Sequence, residues 1–322
     1  MRALQPGEVR VQIQASLTCG TDLKVFKRGY HQKMIVPPAL FGHEFSGIIV
    51  ETPPDVSHWK TGERVVVANS APCGECLHCR QAQENLCDDL LFLNGAYAES
   101  IIIPARLVKK NLLRLGPATQ FRDAALVEPL ACVVQGIDDV SLRAGMRVLV
   151  LGAGPIGLMF LSLAKHLGCS VAVSGRGAKR LQTALALGAV EVLDAAQQDQ
   201  TAALSASHYY DAVIEAVGKP ETWEQAVRLV RKGGTVNFFG GCPSGTTVNL
   251  DTSLIHYSSL RLLASFHHTP RTIRRALEFI EAGIVRAEHF IDGECPLSQL
   301  PALFKSMAKG NRAVKTLIQV QA

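Results

Sequence analysis

Apolar and polar residues alternate where the chain first shows a pattern, Val9, Val11 and Ile13 against Arg10, Gln12 and Gln14. A period of two predicts a strand with one buried face. Residues 48–50, 65–68 and 101–103 are short apolar runs bounded by Gly, Pro or charged residues, and they read as further strands. Pro37–Pro38 and Pro53–Pro54 mark loops between them. From about residue 116 the texture changes. Buried-strand runs at 147–151, 170–174, 190–193, 211–216 and 234–239 alternate with helical stretches at 155–167, 178–187 and 220–230. That alternation predicts a parallel sheet covered on both faces. Helices at 271–281 and 297–307 and a last strand at 315–320 close the chain. There is no internal repeat and no low-complexity tract.

Composition narrows the function classes. A chain of 322 residues, 48% hydrophobic and 19% charged, has enough apolar material for two cores. No apolar run approaches the roughly 18 residues of a membrane span, and residues 1–10 do not have the pattern of a secretion signal. A cytoplasmic protein is the default expectation. The net charge of +5 is spread along the chain; Lys109–Lys110 and Arg274–Arg275 are isolated pairs, so nucleic acid is not an expected partner. Four of the nine cysteines crowd into residues 73–87. Without a secretion signal, such clustering points to metal rather than disulfides.

Those four, Cys73, Cys76, Cys79 and Cys87, form C-x2-C-x2-C-x7-C. Thiolates two residues apart can turn toward one point, and a fourth returning from a short loop completes a tetrahedron. This is the closed thiolate shell of structural zinc, preferred here over disulfides, an iron–sulfur cluster or free thiols. His78 is a bystander, since the shell is already full. A nucleic-acid-binding zinc ribbon would need basic and aromatic residues interleaved with the cysteines, and the lobe, 69–93, lacks them.

A second metal site is spelled by distant residues. Cys19 follows the first strand, His43 and Glu44 follow the Pro37–Pro38 loop, and Glu128 begins a Glu-Pro-Leu triplet. Singly, each has a structural reading, Cys19 as a small buried hydrophobe and His43 as a satisfied core histidine. Together they supply thiolate, imidazole and carboxylate, a set suited to a catalytic zinc with one position open. Further on, Gly152-Ala-Gly-Pro-Ile-Gly157 stands between a strand and a helix, where a dinucleotide pyrophosphate binds. Gly152 allows the tight turn, Gly154 lets the backbone approach the phosphates, and Gly157 lets helix pack on strand. The N-terminus of the helix, which opens at Pro155, offers the N–H groups of Ile156 and its successors and a positive dipole.

The order Cys-Gly-Thr-Asp, Gly-His-Glu, four-cysteine lobe, Glu-Pro-Leu and Gly-x-Gly-x-x-Gly resembles the zinc-containing medium-chain dehydrogenase/reductase family, nearest its polyol (sorbitol-type) and threonine dehydrogenase branch. The resemblance runs from Pro6 almost to the C-terminus. It implies an α/β chain, a GroES-like β domain with an inserted Rossmann domain of doubly wound parallel sheet. The boundaries would be 1–114 and 266–322 for the first and 115–265 for the second, with the active site between them. It implies a zinc-dependent oxidoreductase moving hydride between a secondary alcohol or polyol and a nicotinamide cofactor, with two zinc ions per subunit. Cys19, His43 and Glu44 match zinc ligands, and Glu128 matches a glutamate that lies at the metal directly or through water. Thr21 matches the hydroxyl residue that relays the alcohol proton. Ala216, Val217, Gly218, Phe239 and Gly240 match loops passing near the nicotinamide, their alternative reading being ordinary turns. A homodimer or homotetramer is implied, with 248–264 as the candidate contact. Zinc-free reductases and quinone oxidoreductases of this fold, and non-catalytic zinc-bound members, are disfavoured by the intact Cys19, His43 and Glu44.

Two departures from the family pattern carry expectations. Relatives using NAD place an acid about 20 residues past the glycine motif, where it binds the ribose 2′-hydroxyl. Here that position is Gly175, between Ser174 and Arg176, with Lys179 and Arg180 beyond. Glycine removes the repulsion toward a 2′-phosphate and leaves room for it, and a guanidinium can grip it, so NADP is expected over NAD. Only five residues precede Pro6-Gly-Glu-Val9, where the family has a further strand or two. Either Met1 is a mis-assigned start or a strand edge is left open.

Overall fold

The structure, a computed structural model, describes residues 2–29, 34–197, 210–310 and 313–321. Met1, whose standing as the start is questioned above, lies outside them. The chain divides into two compact units, Met1–Ala131 with His268–Ala322, and Cys132–His267.

The first unit is built on a mixed sheet. In chain order its strands are β1 (Val9–Leu17), β2 (Glu44–Glu51), β3 (Arg64–Val67), β6 (Ser100–Ile103), β7 (Leu112–Arg114), β14 (Ile291–Pro296) and β15 (Lys315–Gln319), lying in space as β14-β15-β1-β2-β3-β7, with β6 paired to β1. The alternation read from the sequence is the burial pattern of β1: Val9, Val11 and Ile13 are inside while their neighbours are half-buried. They pack with Phe45, Ile49, Val65 and Ile103 into one core. Short strands β4 (Ser70–Ala71) and β5 (Leu91–Phe92) pair at the foot of the cysteine lobe. Residues 115–131 pack here too. Ser46 donates to the Phe121 carbonyl at 2.6 Å, and Arg64 holds the carbonyls of Gly116 and Pro117 at 3.1 and 2.9 Å. These bonds fasten the segment to β2 and β3 before helix α5 (Val127–Val140) carries the chain on. Neither β14 nor α1 (Gly20–Arg28) is among the elements that the hydrophobic pattern predicts.

The second unit is a six-stranded parallel sheet: β8 (Arg147–Leu151), β9 (Ser170–Gly175), β10 (Glu191–Asp194), β11 (Tyr210–Glu215), β12 (Val230–Phe238) and β13 (Arg261–Ala264), in the order β10-β9-β8-β11-β12-β13. Helices α6 (Pro155–His166), α7 (Ala178–Ala186) and α8 (Pro220–Leu229) follow β8, β9 and β11. The order reverses direction between β8 and β11. Ligands of such sheets bind outside the carboxyl ends of the strands at that switch point.

Candidate metal centres and dinucleotide crevice

Cys19 ends the turn after β1 and is the N-cap of α1, its sulfur accepting from the Thr21 N–H at 3.4 Å. The cap position aims a thiolate at the positive end of a helix. Antiparallel pairing of β1 and β2 sets Leu17 opposite Glu44, which brings the start of β2 to the same end of the sheet. Gly42, just before it, has φ +88°, and a Cβ there would meet the Tyr97 backbone nitrogen at 2.7 Å, so only glycine fits. The result is that the ligand atoms of Cys19, His43 and Glu44 lie within 4.8 Å of one another. Thr21 is half-buried in the first turn of α1. The donor set suits zinc, and three donors leave a fourth place to be filled.

Three residues that the motif reading did not single out hold these ligands. Asp22 Oδ1 lies 3.2 Å from His43 Nδ1, and both side chains are buried. Tyr97 donates to Asp22 Oδ2 at 2.8 Å. Burial alone would lower the His43 pKa, but the Asp22 and Cys19 charges outweigh it and hold it well above the ordinary histidine range. Burial, reinforced by Asp22, pushes the Tyr97 phenol well up. The Lys315 ammonium reaches both Glu44 oxygens, at 2.7 and 2.5 Å, and the Thr18 carbonyl at 3.2 Å. Burial would lower the Lys315 pKa, and Glu44 and Cys19 raise it. Spacing could have flagged Asp22, one turn of helix from the cap.

Glu128, second residue of α5, is buried and stands outside that three-residue group. Its Oε1 lies 3.9 Å from His268 Nε2, and His268 Nε2 lies 2.8 Å from Asn69 Oδ1. Burial pushes the Glu128 pKa up to about 7; His43 pulls against this and Glu44 adds to it. Glu128 is thus within electrostatic reach of the same centre.

The four cysteines of the lobe also have their sulfurs within 4.8 Å of one another, and backbone N–H groups point at them. Glu75 and Cys76 donate to Cys73 Sγ at 3.4 Å, and Cys73 N–H to Cys87 Sγ at 3.2 Å. These amides pull the Cys73 pKa down to about 6, while burial pushes that of Cys79 up to about 12. The thiols cannot all ionise without a cation among them, which is the chemistry of a closed zinc shell. His78 stays apart, 3.8 Å from Asp88.

In the second unit Gly152 adopts φ +117° at the end of β8, its N–H bonded to the Ser174 carbonyl at 2.7 Å. A Cβ on Gly157 would lie 1.8 Å from the Gly152 oxygen, whereas one on Gly154 would meet nothing within 4 Å. The loop thus closes tightly at both ends and leaves open space at its middle, beside Pro155 and Ile156 at the start of α6, a cradle that fits a pyrophosphate. Gly175 corrects one expectation. It does not leave room for a larger ligand, because it is buried and a Cβ there would come within 2.4 Å of Ala153 Cβ. Glycine is demanded by packing against the loop. Arg176, the next residue, is exposed, and Arg180 is half-buried on α7.

At the carboxyl ends of β11 and β12, Val217 is 40% exposed and its Cγ2 would lie 3.1 Å from a Cβ on Gly152. Gly218 has φ +77°, and a Cβ there would meet the Gly241 carbonyl oxygen at 2.6 Å. Phe239 turns its ring edge-on against Phe160, centroids 5.0 Å apart, so its backbone and that of Gly240 are what face loop 216–218.

The sequence matches two family descriptions, the alcohol dehydrogenase GroES-like domain over residues 5–112 and the zinc-binding dehydrogenase over residues 155–282. Among curated relatives, the L-threonine 3-dehydrogenase of Bacillus velezensis is 30% identical over 96% of this chain and 90% of its own. The D-altritol 5-dehydrogenase of Agrobacterium fabrum is 33% identical over 94% of this chain and 89% of its own. Among solved structures, a zinc-binding dehydrogenase from Sinorhizobium meliloti bound to NADP superposes with TM-score 0.91 at 30% identity, covering 99% of this chain and 93% of that one. The chain belongs to the zinc-binding, medium-chain alcohol dehydrogenase family. It is a zinc-dependent oxidoreductase acting on the CH–OH group of a secondary alcohol with a nicotinamide cofactor.

Proposed function

We propose that this protein is an NADP-preferring dehydrogenase of polyols, with a catalytic zinc at Cys19, His43 and Glu44 and a structural zinc at the four-cysteine lobe. The observation that carries the reading is the convergence of thiolate, imidazole and carboxylate within 4.8 Å. A zinc ion held there would supply Lewis acidity toward an alcohol oxygen, and a nicotinamide bound in the crevice would supply the hydride acceptor. The chain's own residues do the rest. Asp22 orients the His43 ring through Nδ1. Lys315 neutralises Glu44 in a buried site and so governs how far that carboxylate serves the metal. Thr21 accepts the hydroxyl proton and passes its own onward. Glu128, within electrostatic reach of His43 and Glu44, joins His268 and Asn69 in a cluster of three buried polar groups, which suits a substrate with hydroxyls beside the reacting one. The D-altritol dehydrogenase among its relatives is consistent with that class. Arg176 supplies the cation for a 2′-phosphate.

The test is turnover of a panel of polyols, simple secondary alcohols and amino alcohols with NADP and with NAD, beside a zinc count. The expected protein holds about two zinc ions per subunit and favours polyols with NADP. His43→Ala abolishes turnover with the fold intact, and Arg176→Leu lowers kcat/KM with NADP about tenfold or more while sparing NAD. Normal activity in His43→Ala would sink the catalytic assignment, and a wild type that favours NAD would remove Arg176 from its role.

A further inference from the structure

Glu215 ends the fourth strand in the order of the parallel sheet, and its side chain has no accessible surface. A buried carboxylate at that place is unusual chemistry for a sheet whose neighbouring strand residues are Ile, Val and Ala. Its Oε1 accepts three hydrogen bonds, from the N–H groups of Val217 and Gly218 at 2.9 Å each and from the Thr222 hydroxyl at 2.7 Å. Its own backbone carbonyl accepts from Phe239 and Gly240 N–H at 3.0 and 2.8 Å. One residue therefore fastens two loops, 216–218 with its side chain and 239–240 with its backbone.

The surroundings leave that arrangement no slack. A Cβ on Gly240 would come within 2.7 Å of Glu215 Oε2 and 2.4 Å of Gly218 N. Trp223, stacked on Phe238 at 4.2 Å between ring centroids, donates its indole N–H to the Gly240 carbonyl at 2.9 Å. On the other side, Ala216 N–H bonds the Leu151 carbonyl at 2.8 Å, tying the same loop to the strand that leads into the glycine motif. The carboxylate sits at the joint between the two loops and one residue from the phosphate turn. Burial pushes its pKa up against the pull of those donors, so the fold tolerates a charge there that it would rather not hold.

We propose that Glu215 is a positioning residue for the nicotinamide half of the dinucleotide, holding Val217 and the backbone of 239–240 as the wall against which that ring lies. The proposal rests on the cofactor reading given above. Amides that point inward at Glu215 Oε1 cannot swing out to solvent, and the exposed Val217 side chain is thereby fixed at the crevice mouth. Loss of the carboxylate would free both N–H groups and release the loop, while the phosphate turn of 152–157 and the β9 end keep their own bonds.

The experiment compares whole cofactors with their adenine halves, titrating NADPH and 2′,5′-ADP, and NADH and ADP-ribose, into wild type, Glu215→Ala, Glu215→Gln and Thr222→Val. Glu215→Ala is expected to weaken the whole cofactors about tenfold or more and to leave the adenine halves within about twofold. Glu215→Gln, which keeps an acceptor oxygen, recovers most of the loss. Thr222→Val removes one bond of three and gives a smaller loss of the same kind, and it reports even if the alanine variant fails to fold. Equal weakening of whole cofactors and adenine halves would make Glu215 a general structural support and overturn the proposal, as would unchanged binding of all four. A wild type that binds no dinucleotide would overturn the cofactor reading itself. A wild type that binds NADH but not NADPH would leave this proposal to stand or fall on the NADH and ADP-ribose pair.

Discussion

Glu215 has a thermodynamic signature separate from any role in binding. Its folded pKa is raised above the ordinary carboxyl value of 4.5 by burial, so the native state keeps a proton that the unfolded chain has released. Stability therefore falls as pH rises from the unfolded pKa through the folded one, the reverse of a salt-bridged carboxylate. Asp211, by contrast, lies between Arg231 and the Arg147 N–H, at 2.7 Å from each. These partners hold its pKa down against burial, and its contribution is lost only in acid. Glutamine cannot ionise, so Glu215→Gln lacks the wild-type slope. The melting temperature of wild type minus that of Glu215→Gln should fall as pH rises from the ordinary carboxyl value of 4.5 through the raised folded pKa. A difference that stays level over that range would show that Glu215 titrates normally.

Among the elements, the cysteine lobe is the least able to hold itself together. Helix α2 (Leu77–Arg80) and the 3-10 turn Glu84–Leu86 bury none of their residues, and β4 and β5 have two residues each. A segment with so little apolar burial takes its order from a cross-link, here the cation its four thiolates can share. Cys73→Ser should drop the zinc count from about two to about one per subunit and open residues 73–87 to proteolysis. Metal analysis and limited proteolysis check it, and a Cys73→Ser lobe as resistant as wild type would argue against structural zinc. The same scale shows what the sequence made legible. Where one face or both faces of a strand are apolar, the pattern placed it: β8 and β9 start and end within a residue of expectation, and β1 starts where expected and runs three residues past Gln14. Helix α5 escaped because Pro129 stands in its first turn and its polar face, Gln135, Asp138 and Asp139, is confined to its second half. Helix α1 escaped because its cap is a cysteine, outside the usual Ser, Thr, Asp and Asn signals. Strand β14, Ile291–Pro296, carries Asp, Gly and Pro, and only pairing with β15 makes it a strand. At the candidate metal centre, Cys19, His43 and Glu44 were readable from order and type as a group that could share a cation. Lys315 and His268 were not, because their approach to Glu44 and Glu128 spans more than a hundred residues of sequence.

At the scale of the whole molecule, β13 decides the next question. It is the last strand of the parallel sheet, pairs with β12 on one side, and has no strand partner on the other among the described residues. Just before it, helix α9 (Thr252–Tyr257) ends in Tyr257, which is 81% exposed, and Phe266 beyond it is 41% exposed. An open parallel edge flanked by large aromatic side chains invites association, and no proline or lysine within Arg261–Ala264 blocks it. Two copies meeting edge to edge about a two-fold axis would pair β13 with its own copy in antiparallel register, a self-complementary contact that closes at two subunits. The family resemblance places the subunit contact in this same stretch. The protein is therefore expected to be a dimer, or a tetramer built from such dimers, in light scattering after size exclusion. Tyr257→Arg with Leu263→Lys puts charge on the edge without touching the residues that pack the sheet core. Half the wild-type mass is the expected result for a dimer, with the melting transition still cooperative. A wild type that runs as a monomer, or a double variant whose mass does not change, would place the assembly surface elsewhere or remove it.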